Sequence, residues 1–253
     1  NYLVQILLNV PLLISVPEVR LILIGGRWAG KSSSGNTILR SERFECGRIR
    51  TVQSELRHQD VEGRTLIVVD APGWSSSLSL TEIPELDKQR FKLNPSKCSP
   101  GPHVFLLVIP IDSAFSVEQK MTLLGEGVWK HTITVFTRGD WLGAHTIEEY
   151  IEGEGEALQS LVEQCGNRYH VVDNKNADDG TQITELLEKI MGTVAANGWS
   201  HFVPDDQIRV TIEERRIRVE QGAKQRQSQV KAKMQTFKGT FLSHSISVTN
   251  KLI

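Results

Sequence analysis

Residues 21–39 read LILIGGRWAGKSSSGNTIL. An apolar run stops at a glycine pair, a short loop follows, and Gly30-Lys31-Ser32 opens a segment with helical spacing. The run from Val19 to Ile24 is mostly β-branched or leucine and reads as a buried strand. Gly25 to Ser32 fits G-x-x-x-x-G-K-[ST] between a strand and a helix, the setting that gives this pattern a mechanism. Backbone N–H groups of such a loop and of the helix N-terminus turn inward and bind phosphate oxygens. Gly25 and Gly30 allow turns that a side chain would obstruct. Lys31 is placed to reach the β- and γ-phosphates, and the Ser32 hydroxyl can ligate Mg2+. The expected phosphate cradle is thus Gly25, Gly26, Arg27, Trp28, Ala29, Gly30, Lys31, Ser32 and Ser33.

Outward from this loop the chain alternates. Apolar runs predict strands over 64–70 (RTLIVVD), 103–110 (HVFLLVIP), 131–137 (HTITVFT) and 168–172 (RYHVV). Helical patterns lie over 33–40, 80–91, 116–129, 146–164 and 181–194. Short apolar strands alternating with helices predict an α/β domain, with a mostly parallel central sheet and helices on both faces. In such sheets ligands bind beyond the carboxyl ends of the strands. Gly25, Asp70, Thr137 and Asn174 lie at those ends.

The 253 residues suffice for one large domain and an appendage. The expected division is an apolar N-terminal segment over 1–16, a nucleotide-binding domain over 17–203 and a C-terminal helical extension over 204–253. The first segment is broken by Gln5, Asn9 and Pro11 and falls short of a spanning helix. It lacks a basic n-region and a cleavage site, so packing on the domain is expected rather than a membrane role. A net charge of −1 supplies no electrostatic case for nucleic acid. Cys46, Cys98 and Cys165 are widely spaced and without CxxC, which predicts a reducing, cytoplasmic setting. The extension is polar, partly helical and a candidate coiled coil. After Glu220 it carries Lys224, Arg226, Lys231, Lys233, Lys238 and Lys251 and no acidic residue. That basic excess permits contact with an anionic membrane surface. Its thin apolar face favours a solvated helix.

Two further motifs bear on which nucleotide is held. Asp70-Ala71-Pro72-Gly73 ends the 64–70 strand. An aspartate there can hold Mg2+ through water, and a glycine three residues on can offer its N–H to a γ-phosphate. Thr137-Arg138-Gly139-Asp140 ends the 131–137 strand. The Asp140 carboxylate can accept from N1–H and the 2-amino group of guanine, a pair that adenine does not present, while Arg138 can stack on a base. Standing alone, the same four residues would read as a turn with a solvated ion pair. Asn174 reads either as a base or ribose contact or as a turn residue.

Taken together, GGRWAGKSSSGNTIL, VVDAPGW, CSPGPHVFLLVIP, EGVWKHTITVFTRGD and CGNRYHVVDNKN resemble the GIMAP family of immunity-associated GTPases, in forms common in fish. The resemblance covers about residues 17–195. It implies a P-loop GTPase domain of Ras-like topology with an added helical extension, and GTP or GDP with Mg2+ as cofactors. It also implies a GTP-dependent homodimer or oligomer formed through the nucleotide face, on the cytosolic face of internal membranes. It assigns nucleotide contacts to Gly25–Ser33, Asp70, Gly73, Thr137, Arg138, Asp140 and Asn174. Metal ligation falls to Ser32, Asp70 and a switch I threonine at Thr51, and the candidates for a part in hydrolysis are Lys31, Thr51 and Gly73. Three departures stand out. The third helix is short, Ser113-Ala114 precede Phe115-Ser116 where relatives often carry Gly-Arg, and Asp173 replaces an Asn.

The expected function is a guanine-nucleotide switch with slow hydrolysis. A GTP-bound scaffold that never turns over is the alternative. Trp74 keeps it open, because an indole accepts no hydrogen bond and cannot orient water as a glutamine does. An ATP-using P-loop enzyme is disfavoured by Asp140.

Overall fold

The computed structural model describes residues 18–47, 51, 53–75, 78–113, 119–204 and 206–249. The chain divides into two units, Asn1–Asp205 and Asp206–Ile253. Among the described residues the first unit holds one sheet of six strands: β1 Val19–Gly25, β2 Glu55–Val61, β3 Arg64–Asp70, β4 Val104–Pro110, β5 Thr132–Thr137 and β6 Tyr169–Val172. Their order is β2-β3-β1-β4-β5-β6. All neighbouring pairs are parallel except β2–β3.

Every apolar run singled out in the sequence forms a strand. Their side chains alternate between two cores. Ile22, Ile24, Val69, Phe105, Leu107 and Phe136 face one layer with Trp74, Phe91, Leu158 and Leu161. Leu21, Leu23, Val68, Leu106, Val108 and Val135 face the other with Ile38, Ile183, Leu186 and Ile190. Burial on both faces is why β1, β3, β4 and β5 read as continuous apolar runs, while the edge strand β6 alternates half-buried and buried positions.

The unpredicted strand is β2. Its sequence, ELRHQDV, is polar and alternates between exposed and half-buried positions, as suits the edge of a sheet. It pairs with β3 along its whole length, from Glu55 opposite Asp70 to Val61 opposite Arg64. The two-residue turn Glu62-Gly63, with φ of 50° and 72°, closes the hairpin.

The helices are α1 Lys31–Leu39, α2 Glu85–Leu93, α3 Ile147–Glu154, α4 Glu156–Gln164, α5 Gly180–Ala196 and α6 Asp206–Thr249. Three expectations need correction. The helix read over 80–91 begins only after Pro84, which stands in extended conformation at the N-cap. The helix read over 146–164 is two helices, because Gly155 takes φ 92° and ψ −176° and cannot continue the first. The helix read over 116–129 is absent as such. Short 3₁₀ segments, Gln119–Leu124 and Glu126–His131, replace it, and residues 114–118 lie outside the described residues. The apolar segment 1–16, the Ala114–Ser116 departure and Lys251 also lie outside them.

The second unit is the single 44-residue helix α6. Among the described residues no helix is long and apolar enough to cross a membrane.

Candidate nucleotide-binding site

The loop from Gly25 to Ser32 leaves the carboxyl end of β1 and enters α1. Gly25 has φ 151°, and a Cβ there would lie 2.4 Å from the Val108 carbonyl oxygen, so a side chain is excluded by the neighbouring strand. Lys31 is buried, 6% exposed, and its Nζ donates to the Gly26 carbonyl at 2.8 Å. A lysine folded back on its own loop is held ready at the concave side, where the backbone N–H groups converge.

Beneath the loop, Ser32 Oγ donates to Asp70 Oδ2 at 2.6 Å, and Thr51 Oγ1 lies 3.5 Å from the same oxygen. The three residues assigned to a metal therefore meet, although Thr51 comes from the segment before β2. Asp70 is 2% exposed, and its Oδ1 is buried without a hydrogen-bond partner. Burial, opposed by the Ser32 hydroxyl and the Lys31 charge, holds its carboxyl above the usual carboxylate range. A buried carboxylate oxygen left unpaired, with two hydroxyls beside it, is a donor set that suits a hard divalent cation. These residues fit Mg2+.

Gly73 closes the far corner. A Cβ on it would lie 2.8 Å from the Arg27 backbone N, from Arg27 Cα and from Lys31 Nζ. The backbone of the next residue ties the two segments together, since Arg27 N–H donates to the Trp74 carbonyl at 2.8 Å. The Trp74 indole points into the core. It is 8% exposed and meets Phe91 edge-on at 5.3 Å.

The guanine motif proves partly structural. Thr137 Oγ1 donates to the Ala29 carbonyl at 2.7 Å. Arg138, at φ 64°, donates to the Trp28 carbonyl at 3.0 Å and pairs with Asp112. Its guanidinium is thus committed to holding the phosphate loop, where stacking on a base was expected. The Asp140 carboxylate pairs with Lys175. Asn174 is likewise committed: Nδ2 donates to Ser34 Oγ at 3.2 Å, and Oδ1 accepts from Thr37 at 2.8 Å. It ties the turn after β6 to α1. Asp173 caps that turn by accepting from Lys175 N–H at 3.0 Å.

These segments border one cleft of about 580 Å³, lined by Arg27, Trp28 and residues 30–33 of the loop, with Thr51, Gly73, Thr137, Arg138 and Asn174. That size lies within the usual range for small-molecule sites. Asp112, Trp141 and Lys175 also line it and were missed in the sequence reading. The position of Asp112 just past the carboxyl end of β4 was the available signal.

Comparison with known proteins agrees with this geometry. The family model described as AIG1 family matches residues 19–223. The chain is similar to GTPase IMAP family member 8 of Rattus norvegicus, 33% identical over 198 residues, which cover 74% of this chain and 28% of that protein. It is also similar to immune-associated nucleotide-binding protein 1 of Arabidopsis thaliana, 29% identical over 198 residues, covering 72% of this chain and 87% of that protein. The chain spans little more than a quarter of the mammalian relatives it matches. Among solved structures, Toc33 from Arabidopsis thaliana in complex with Mg2+ and GMPPNP superposes with a TM-score of 0.56 at 14% identity, over 72% of this chain and 86% of that one. At that identity the likeness is one of fold, and the fold is that of a GTPase G domain. With the family model covering the sheet, the phosphate loop and the guanine motif alike, the chain belongs to the AIG1 family.

Proposed function

We propose that this chain is a guanine-nucleotide switch that binds GTP and GDP with Mg2+, self-associates when loaded with GTP and hydrolyses it slowly. The observation that carries the reading is the convergence of Ser32, Thr51 and the unpaired Asp70 Oδ1 beneath a loop whose lysine is already turned inward. Ser32, Thr51 and Asp70 would hold the cation. When bound it neutralises charge on the β- and γ-oxygens. Lys31 and the loop N–H groups bind and orient the phosphates. Asp140 accepts from the guanine edge once Lys175 yields or shares its carboxylate.

Self-association draws support from Toc33, for which dimerization is important for the GTPase activity. It also has a physical basis. A γ-phosphate that orders Thr51 and Gly73 leaves less entropy to be lost when those loops dock on a second copy. The three free cysteines support a cytoplasmic setting.

Trp74 supports slow turnover. Its ring is packed in the core, so no side chain at that position orients an attacking water. The same observation favours a second reading, a GTP-bound scaffold without turnover. The test is equilibrium binding of GTP, GDP and ATP with and without Mg2+, with Lys31→Ala as the site control, followed by single-turnover hydrolysis across protein concentrations. Equal affinity for ATP and GTP would end the guanine reading. A rate indistinguishable from free GTP at every concentration would leave the scaffold.

A further inference from the structure

Arg27, the third residue of the phosphate loop, has an anchored backbone and an uncommitted side chain. Its N–H is fixed on the Trp74 carbonyl at 2.8 Å. Its guanidinium forms no hydrogen bond or ion pair among the described residues, and Nε is buried. Four other half-buried arginines of this unit are engaged: Arg20 with Glu18, Arg57 with Glu55, Arg138 with Asp112, and Arg168 with the Trp129 carbonyl. A buried donor without an acceptor costs the desolvation of that group, so its persistence calls for a partner.

The surroundings say which kind. Arg27 lines both the 580 Å³ cleft and a smaller cavity of about 50 Å³ beside Trp74 and Phe91. The carboxylate bordering that smaller cavity, Asp87, already pairs with Arg90 at 3.3 Å. On the cleft side, the backbone of Arg27 and Lys31 Nζ meet Gly73 at one corner, with Arg27 N, Arg27 Cα and Lys31 Nζ each 2.8 Å from the point a Gly73 Cβ would occupy. The lysine of such a loop reaches the β- and γ-phosphates, and the glycine after the switch II aspartate faces the γ-phosphate. That corner is therefore the terminal-phosphate end of the cleft.

We propose that the Arg27 guanidinium is a ligand for the terminal phosphate of a bound nucleoside triphosphate and sets the preference for triphosphate over diphosphate. The proposal rests on the guanine-nucleotide reading above. A planar fork of N–H donors matches a phosphate and holds it by paired, charge-assisted bonds. A diphosphate ends one phosphoryl group short of that corner and forfeits the contact. Because Arg27 gives up no existing ion pair, the contact is not discounted by a broken one.

The test is equilibrium binding of the full chain to fluorescent GDP and to a fluorescent, non-hydrolysable GTP analogue, both with Mg2+. Wild type, Arg27→Ala and Arg27→Lys are compared. The wild-type result comes first: failure to bind either nucleotide overturns the guanine reading itself, and the proposal with it. Given wild-type binding, Arg27→Ala is expected to weaken the triphosphate analogue about 10- to 100-fold more than GDP. Arg27→Lys, which keeps the charge and loses the fork, should fall between. Retained GDP binding also certifies that the variant is folded. Equal weakening of both nucleotides, or no weakening of either, overturns the proposal.

Discussion

Asp70→Asn should raise the stability of the nucleotide-free protein and lower that of the loaded one. Asp70 is a buried carboxylate with Ser32 on Oδ2 and no hydrogen-bond partner on Oδ1 among the described residues. Burial pushes its carboxyl above the usual range. A carboxyl raised on folding holds its proton more tightly in the native state, so stability falls as pH climbs from the unfolded value through the folded one. At neutral pH the ionised group is a net cost to the empty fold. An amide of the same shape can keep the Ser32 bond and carries no charge. Relieving a buried, unsatisfied charged oxygen is worth about 1 kcal/mol or more, which for a unit of this size raises the melting midpoint by about 2–4 °C. Nucleotide with Mg2+ reverses the order. Wild type at 100 times its dissociation constant gains about 2.7 kcal/mol, and the variant forfeits much of this with its cation ligand. The assay is thermal melting after stripping with a chelator, then with Mg2+ and a GTP analogue. The gap between stripped proteins should narrow as pH falls toward the ordinary carboxylate range, where wild type takes up its proton. An Asn variant that melts lower when stripped and responds equally to ligand would refute the reasoning.

Asp140→Asn should weaken guanine-nucleotide binding by about 10-fold or more, through loss of charge-assisted bonds. It should also improve xanthosine-nucleotide binding, because xanthine places an oxygen where guanine has its amino group; competition titration with both nucleotides reads this. Sedimentation velocity with GDP and with a non-hydrolysable GTP analogue should show a larger species only with the analogue, and identical profiles would remove the switch and leave a constitutive binder. For the basic extension, co-sedimentation with vesicles should show little dependence on anionic lipid. The residues from Glu220 to Met234 offer few apolar side chains to anchor a surface helix, and salt-sensitive binding that rises with phosphatidylserine would overturn this.

What is legible in the sequence is local. The strands β1, β3, β4 and β5 stand out because burial on both faces requires unbroken apolar runs, while β6, at the far edge, alternates half-buried and buried positions and shows as a short valine run. The edge strand β2 does not, since its outer edge faces water and polar residues suffice; only the Glu62-Gly63 turn marks it. The helix 146–164 looks continuous by apolar spacing, and Gly155 breaks it through a backbone conformation that spacing does not record. The phosphate loop is readable because its chemistry belongs to the backbone of consecutive residues.

By itself, then, the sequence determined an α/β sheet, a phosphate loop at the end of its first strand, and the residues Asp70, Thr137 and Asp140 at the ends of others. Tertiary structure alone decided what each side chain is free to do. Arg138 reaches the Trp28 carbonyl and Asn174 reaches Ser34 across sequence separations of 110 and 140 residues. Trp74 is drawn into the core by Phe91, and the Arg27 side chain finds no partner among the described residues. Residue type states which bonds a side chain can make. The choice among partners is a competition between groups that only the closed sheet brings within reach, which is why Arg138 serves the loop and Arg27 stays open to a ligand.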